Sequence, residues 1–287
     1  YTNENTISKF SDDITIPKLQ IILLGSRGVG KTSVGNVILG IKDKEDGKTT
    51  HSVAQQGFVN KTDITVVDTP GWWKDFLVCD TPVAIREELM LSMFLCRPGP
   101  HVFLLMIDSD ASFNHKHLEA VKTHMELLGK GVWGHTIVVF TRGDWLGAHS
   151  IEEYIEGEGE ALQILVQQCG NRYHVIDNKN KNDTRQVTEL FEKIEEMVAG
   201  NSIQLFCPDM DDIQERLIEM FRRRQIKQLL KQSFEETYRR RELELLTDKF
   251  CSVLHLQLKE KIQNQQFLIL CQKEELASTL TSKLPVG

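Results

Sequence analysis

The sequence predicts an α/β fold in which a mostly parallel sheet, with one antiparallel edge strand, carries helices on both faces and is followed by a helical extension. Three observations lead there. Apolar runs of strand length alternate with helix-period segments as far as Gly200. The first of those runs ends in a glycine-rich loop that opens a helix. Beyond Gly200-Asn201 the pattern turns helical and turn signals become rare.

Residues 1–16 are polar and read as a loose lead-in, so the α/β domain is expected over 17–202 and the extension over 203–287. A first strand is expected at 18–24 and a helix at 32–39, closed by Gly40. The polar stretch 41–55 reads as a loop. Residues 57–61 and 64–67 are β-rich and separated by Thr62-Asp63, which predicts a hairpin and with it the antiparallel strand. Further strands are expected at 101–107, 136–140 and 173–176, and helices near 83–95, 114–129, 151–168 and 186–199. Crossover helices of this kind bury a parallel sheet on both faces. In the extension, residues 210–284 contain neither glycine nor proline, and Leu217, Phe221, Leu229, Leu230, Phe234, Leu243 and Leu246 follow helical spacing without a clean heptad. A helical hairpin or coiled coil is the expected form. Val253-Leu254-His255-Leu256-Gln257-Leu258 alternates with a period of two, so a strand also fits there.

Composition narrows the function classes. The 287 residues are 40% hydrophobic and 26% charged, an ordinary balance for a globular protein. A net charge of −7 argues against nucleic acid as a partner and leaves membrane association at most indirect. Six scattered cysteines without a Cys-x-x-Cys pair fit reduced thiols better than a disulfide framework or a zinc site. No apolar run reaches the ~18 residues of a membrane helix and no secretory signal is recognisable, so a cytoplasmic location is expected.

The chemistry begins at Gly25-Ser26-Arg27-Gly28-Val29-Gly30-Lys31-Thr32. Glycines at these spacings let backbone N–H groups approach phosphate oxygens, and the helix that follows adds the positive end of its dipole. Lys31 would place a charge between β- and γ-phosphates, Thr32 would offer a hydroxyl to Mg²⁺, and Ser33 can reach the α-phosphate. The second signal is Ile64-Thr65-Val66-Val67-Asp68-Thr69-Pro70-Gly71, a strand that delivers Asp68 toward Mg²⁺ and the Gly71 amide toward a γ-phosphate. Thr49 or Thr50, in the polar segment between these motifs, is the candidate switch threonine, a role that requires reaching the metal and letting go after hydrolysis. Base choice rests on Phe140-Thr141-Arg142-Gly143-Asp144. A carboxylate such as Asp144 can accept the N1–H and 2-amino hydrogens of guanine, a donor pair that adenine lacks. Arg142 can stack on the base, and Asn178 can complete its pocket.

Together these residues resemble the immunity-associated GTPases (the GIMAP or immune-associated nucleotide-binding family), relatives of septins, over about residues 18–200. Beyond the phosphate loop, the resemblance rests on Val67-Asp68-Thr69-Pro70-Gly71-Trp72-Trp73, on Arg97-Pro98-Gly99-Pro100-His101-Val102-Phe103-Leu104-Leu105, and on the Thr-Arg-Gly-Asp base motif. It implies a P-loop NTPase G domain that uses GTP or GDP with Mg²⁺, with Thr32, Thr49 and Asp68 around the metal; it is also what favours Thr49 over Thr50. It further implies assembly through the nucleotide-facing surface into homodimers, homo-oligomers or pairs with paralogues, peripherally on intracellular membranes, in immune regulation.

Two departures bear on hydrolysis. Ser112 stands where the resemblance leads one to expect an arginine, and Trp72 rather than glutamine follows Gly71. Both usual means of orienting water and neutralising transition-state charge are therefore missing from their expected places. The expectation is a GTP-binding switch with slow hydrolysis unless Arg86, Arg97, His115 or a partner substitutes for the absent arginine. The alternative is a nucleotide-locked interaction module in which hydrolysis is incidental.

Overall fold

The structure, a computed structural model, describes residues 18–41, 49–59, 62–177, 179–180 and 183–250, with side chains as far as 242. The expected strand at 253–258 and the return limb of a helical hairpin lie outside the described residues.

In chain order the elements are β1 (Lys18–Gly25), α1 (Lys31–Ile38), β2 (Val53–Val59), β3 (Thr62–Asp68), α2 (Val83–Leu95), β4 (Val102–Asp108), α3 (His115–Met125), β5 (Thr136–Thr141), α4 (Ile151–Glu158), α5 (Glu160–Gln168), β6 (Tyr173–Ile176), α6 (Thr184–Gly200) and α7 (Met210–Phe250). The sheet order is β2-β3-β1-β4-β5-β6, with β2 antiparallel to β3 and every other neighbouring pair parallel. This is the expected α/β architecture with its single antiparallel edge. Among the described residues no helix is long and apolar enough to cross a membrane.

Burial on both faces explains why the central strands read as continuous apolar runs. Along β4, Phe103, Leu105 and Ile107 enter one core with α2, α3 and α5, while Val102, Leu104 and Met106 enter the other with α1 and α6. Parallel pairing places the C-terminal ends of β1, β3, β4 and β5 at one pole, and the loops there carry the candidate site.

Several boundaries differ from expectation, each for a local reason. β2 begins at Val53, inside the stretch expected to be loop, and Thr62 and Asp63 pair with Val59 and Phe58 instead of forming the turn. An edge strand open to solvent needs no apolar alternation, so polar Gln55 and Gln56 concealed it. The expected helix 151–168 is two helices, because Gly159 at φ 106° lies outside helical space. The expected helix 114–129 leaves α geometry after Met125 and tightens into a 3₁₀ turn.

The first compact unit runs to Met220, and a second begins at Phe221. Phe206, Ile213 and Leu217 are buried in the first core. Phe206 packs edge-on to Phe103 and His135, and its N–H donates to Pro100 O at 2.9 Å. Gly99 sits under this segment. A Cβ there would meet Phe206 O at 2.3 Å, so the close approach requires glycine. In the second unit α7 exposes Ile226, Leu229, Leu230, Phe234 and Tyr238.

Three buried histidines predict an acid-sensitive fold. His101 accepts the Gln20 N–H through Nδ1, His124 lies under Trp72, and His174 bonds Gln186 O. Burial, the largest cause in each case, lowers their pKa values from 6.5 to about 4. Between those values the unfolded chain binds protons that the folded chain refuses, so stability present above about pH 6.5 is lost as pH falls toward about 4. The melting temperature should therefore fall steadily on acidification through that window. A flat profile would contradict neutral burial of these imidazoles.

Candidate phosphate and guanine site

β1 delivers the glycine loop at the C-terminal pole. Gly25 adopts φ 143°, and a Cβ there would meet Met106 O at 2.8 Å, so only glycine can enter the loop beside β4. Gly30, left-handed at φ 91°, turns the chain into α1 and leaves its first-turn amides without a side-chain cap. By contrast α3 and α4 open with full capping boxes, Asn114 with His117 and Ser150 with Glu153. The uncapped N–H groups and dipole of α1 are suited to an anion.

Lys31 is buried and its Nζ donates to Gly25 O at 3.1 Å and Ser26 O at 2.9 Å. Burial pulls its pKa down to about 8, against the opposing attraction of Asp68. An ammonium held this way gains strongly from a neighbouring phosphate. Behind it, Thr32 Oγ1 donates to Asp68 Oδ2 at 2.6 Å, Thr49 Oγ1 donates to the same oxygen at 3.0 Å, and the two hydroxyls lie 3.2 Å apart. Asp68 Oδ1 is buried without a hydrogen-bond partner. Two hydroxyls, a carboxylate and one unsatisfied oxygen form an all-oxygen donor set that fits Mg²⁺. Thr50 instead contacts the neighbouring His51 ring.

A cavity of about 800 Å³ opens over these groups, lined by Arg27, Gly28, Gly30, Lys31, Thr32, Ser33, Thr49, Thr50 and Gly71 and walled by His51, Trp72, Trp73, Pro82, Ala84 and Ile85. Gly71 closes against the phosphate loop so tightly that a Cβ would stand 2.6 Å from Arg27 N and from Lys31 Nζ. Arg27 N donates to Trp72 O at 2.7 Å. Val29 and Ser26 are scaffolding: Val29 is buried in the second core, and Ser26 bridges to Trp72. The α2 wall was not foreseen, because apolar Ala84 and Ile85 carry no sequence signal for a site.

The base motif is arranged differently from expectation. Thr141 is buried, with Oγ1 donating to Ile107 O at 3.3 Å. Arg142 adopts the left-handed conformation at φ 58° and turns its guanidinium to Asp108 at 3.0 Å, to Asp110 and to Gly28 O at 3.4 Å, so that group braces the glycine loop. Burial, together with a hydrogen bond to Asp110, raises the Asp108 pKa against the pull of Arg142. An aspartate ending a central strand beside the glycine loop was the readable signal for this brace. Asp144 pairs with Lys179 at 2.5 Å and does not line the cavity. Lys179 escaped notice because nothing in the sequence pairs it with Asp144. Asn178 lies outside the described residues.

Trp72 is buried and stacks on His124, with centroids 4.5 Å apart and planes 10° apart, while Trp73 remains 47% exposed. The His124 Nε2 and Thr81 Oγ1 lie 2.8 Å apart, which extends the stack into α2's lead-in. Ser112 is exposed, and Lys74 Nζ donates to its carbonyl at 2.8 Å. The proposed substitutes for arginine are not in the cavity. Arg97 precedes β4, at the opposite pole, where its carbonyl accepts from Gln20. His115 faces Glu160 at 3.7 Å, and Arg86 lies near His124 while its neighbours Ala84 and Ile85 form the wall.

The chain matches the AIG1 family model over residues 19–225. It is 30% identical over 192 residues to GTPase IMAP family member 8 of Homo sapiens, a match covering 64% of this chain and 27% of that protein. It is 29% identical over 183 residues to immune-associated nucleotide-binding protein 10 of Arabidopsis thaliana, covering 61% and 39%. The matched region thus spans well under two thirds of either relative. Among solved structures, Toc33 from Arabidopsis thaliana in complex with GDP and Mg²⁺ superimposes with a TM-score of 0.53 at 16% identity, covering 64% of this chain and 86% of that one. At that identity the likeness is one of fold.

Proposed function

The chain belongs to the AIG1 family, and from that premise we propose that it is a guanine-nucleotide switch that hydrolyses GTP slowly and assembles through its nucleotide-facing surface. The observation that carries this reading is the convergence of Thr32 and Thr49 on Asp68 beside the buried Lys31, at the floor of the cavity. Thr32, Thr49 and Asp68 would hold Mg²⁺, which supplies charge neutralisation to the β- and γ-phosphates when bound. Lys31 and the amides of the 25–32 loop orient the phosphates, and the Gly71 amide faces the γ-phosphate position. Asp144 selects guanine. Thr49 is tied to Asp68 by a hydrogen bond of 3.0 Å, and a switch requires that contact to release when the γ-phosphate leaves.

Slow hydrolysis follows from the side chains at the two usual catalytic positions. Trp72 is committed to His124 and has no group to orient water, and Ser112 brings no cation. The same facts favour a second reading, a nucleotide-locked interaction module whose hydrolysis is incidental. Assembly has a precedent in fold: for the chloroplast translocon components atToc33 and psToc159, dimerisation is important for the GTPase activity. An immune role rests on the names of the relatives.

Light scattering of the full chain with GDP and with a non-hydrolysable GTP analogue, alongside a hydrolysis time course, tests the proposal. A switch shows a larger mass with the analogue and slow phosphate release. The same mass in both nucleotides would count against the switch, and phosphate release absent altogether would favour the locked module.

A further inference from the structure

With Arg86, Arg97 and His115 outside the cavity, the arginine that lines it is Arg27, the third residue of the glycine loop itself. Its guanidinium carbon lies 4.7 Å from the centre of the Trp73 ring, a cation–π contact across the mouth of the cavity. Trp73 is in turn braced by Phe76, at 6.3 Å between ring centres. The backbone beneath is fixed, since Arg27 N donates to Trp72 O and the Gly71 approach leaves no room for a Cβ. An otherwise mobile side chain is thereby held on the side of the phosphate loop that faces Gly71, where the γ-phosphate would lie.

We propose that Arg27 is a catalytic residue acting in cis, supplying transition-state charge to the γ-phosphoryl group, with Trp73 as the positioning residue that holds its guanidinium. This deepens the GTPase reading above and rests on it. In the step concerned, a water oxygen forms a bond to the γ-phosphorus while the bond from that phosphorus to the β,γ-bridging oxygen breaks. The bond's electron pair leaves on GDP, and the water proton passes to the phosphate product and solvent. Arg27 transfers no proton. Its planar donors neutralise charge on the transferring group as the bridge bond opens. Occupation of this place by the chain's own arginine also leaves little reason for a partner to insert one, so hydrolysis should not depend on protein concentration.

The experiment compares wild type with Arg27→Ala and Trp73→Leu in the full chain. Three quantities are read: GDP affinity, uptake of aluminium fluoride by the GDP complex as a transition-state mimic, and single-turnover hydrolysis at several protein concentrations. Arg27 is exposed, so its removal leaves the fold intact. The expected result for Arg27→Ala is GDP affinity within about threefold of wild type, with mimic uptake and hydrolysis both reduced by at least about tenfold. Trp73→Leu falls between the two in mimic uptake, and the wild-type rate is first order at every concentration. Hydrolysis by Arg27→Ala at or above the wild-type rate would overturn the inference, as would a wild-type rate that climbs with concentration. A wild type that binds GDP and GTP yet neither takes up the mimic nor hydrolyses also overturns it, while leaving nucleotide binding intact. Failure of the wild type to bind guanine nucleotides removes the underlying reading itself.

Discussion

Lys31→Met should lower GTP and GDP affinity by roughly 30-fold to several thousandfold, the range expected when one partner of a desolvated charge pair is truncated at about 2–5 kcal/mol. The unliganded protein should lose little stability. Lys31 is already disfavoured by burial, which brings its pKa down to about 8, so an apolar side chain of similar length removes a cost along with two hydrogen bonds to backbone carbonyls. The sign of a pH dependence follows. Bound phosphates hold the proton on Lys31, so above about pH 8 binding requires proton uptake and wild-type affinity weakens, by up to about tenfold per pH unit. Titrating labelled GDP from about pH 7 to about pH 9 measures this. An unchanged affinity across that range, or a Met variant that binds normally, would remove Lys31 from the phosphate site.

Asp144→Ala should abolish discrimination between GTP and ATP. Two charge-assisted hydrogen bonds at about 1.5–3 kcal/mol each set the loss of guanine affinity at roughly 10²–10⁴-fold. The fold should not suffer, because the Asp144 partner in the structure is Lys179, 74% exposed, and exposed pairs contribute about 0–1 kcal/mol. Lys179 must yield or rearrange when a base takes the Asp144 carboxylate, so Lys179→Ala should change guanine affinity far less than loss of Asp144. Competition of GTP and ATP for labelled GDP reads both variants. Equal competition by ATP in the unaltered protein would end the guanine assignment.

What was legible in the sequence had short-range causes. The glycine loop is readable because steric freedom at Gly25 and Gly30 is encoded by residue type, and the strand carrying Asp68 because its apolar run ends there. The central strands are readable because burial on both faces demands unbroken apolar runs. Less local features were hidden. Choosing between Thr49 and Thr50 from the residues alone requires the path of the chain around Asp68, and only the resemblance favoured the one that the structure brings there. Placing Arg97 and His115 requires knowing at which pole of the sheet each loop emerges. The direction of Arg142 follows from a left-handed backbone, which residue type alone does not announce for arginine. The full length of the edge strand β2 is hidden in the sequence because half-exposed strands tolerate polar residues.

The segment that packs Phe206 over Gly99 decides where the nucleotide-binding part of this chain can be severed. Phe206, Ile213 and Leu217 are 4%, 0% and 5% exposed. At about 1.5–3 kcal/mol for each buried side chain, their sum rivals the ~5–15 kcal/mol that holds a typical domain together. A cut after Ser202 therefore opens a wound in the core under β4, beside Phe103, on the strand that flanks the phosphate loop. Any comparison of the chain with and without its tail would then report on a damaged scaffold. The seam that spares the scaffold lies after Met220.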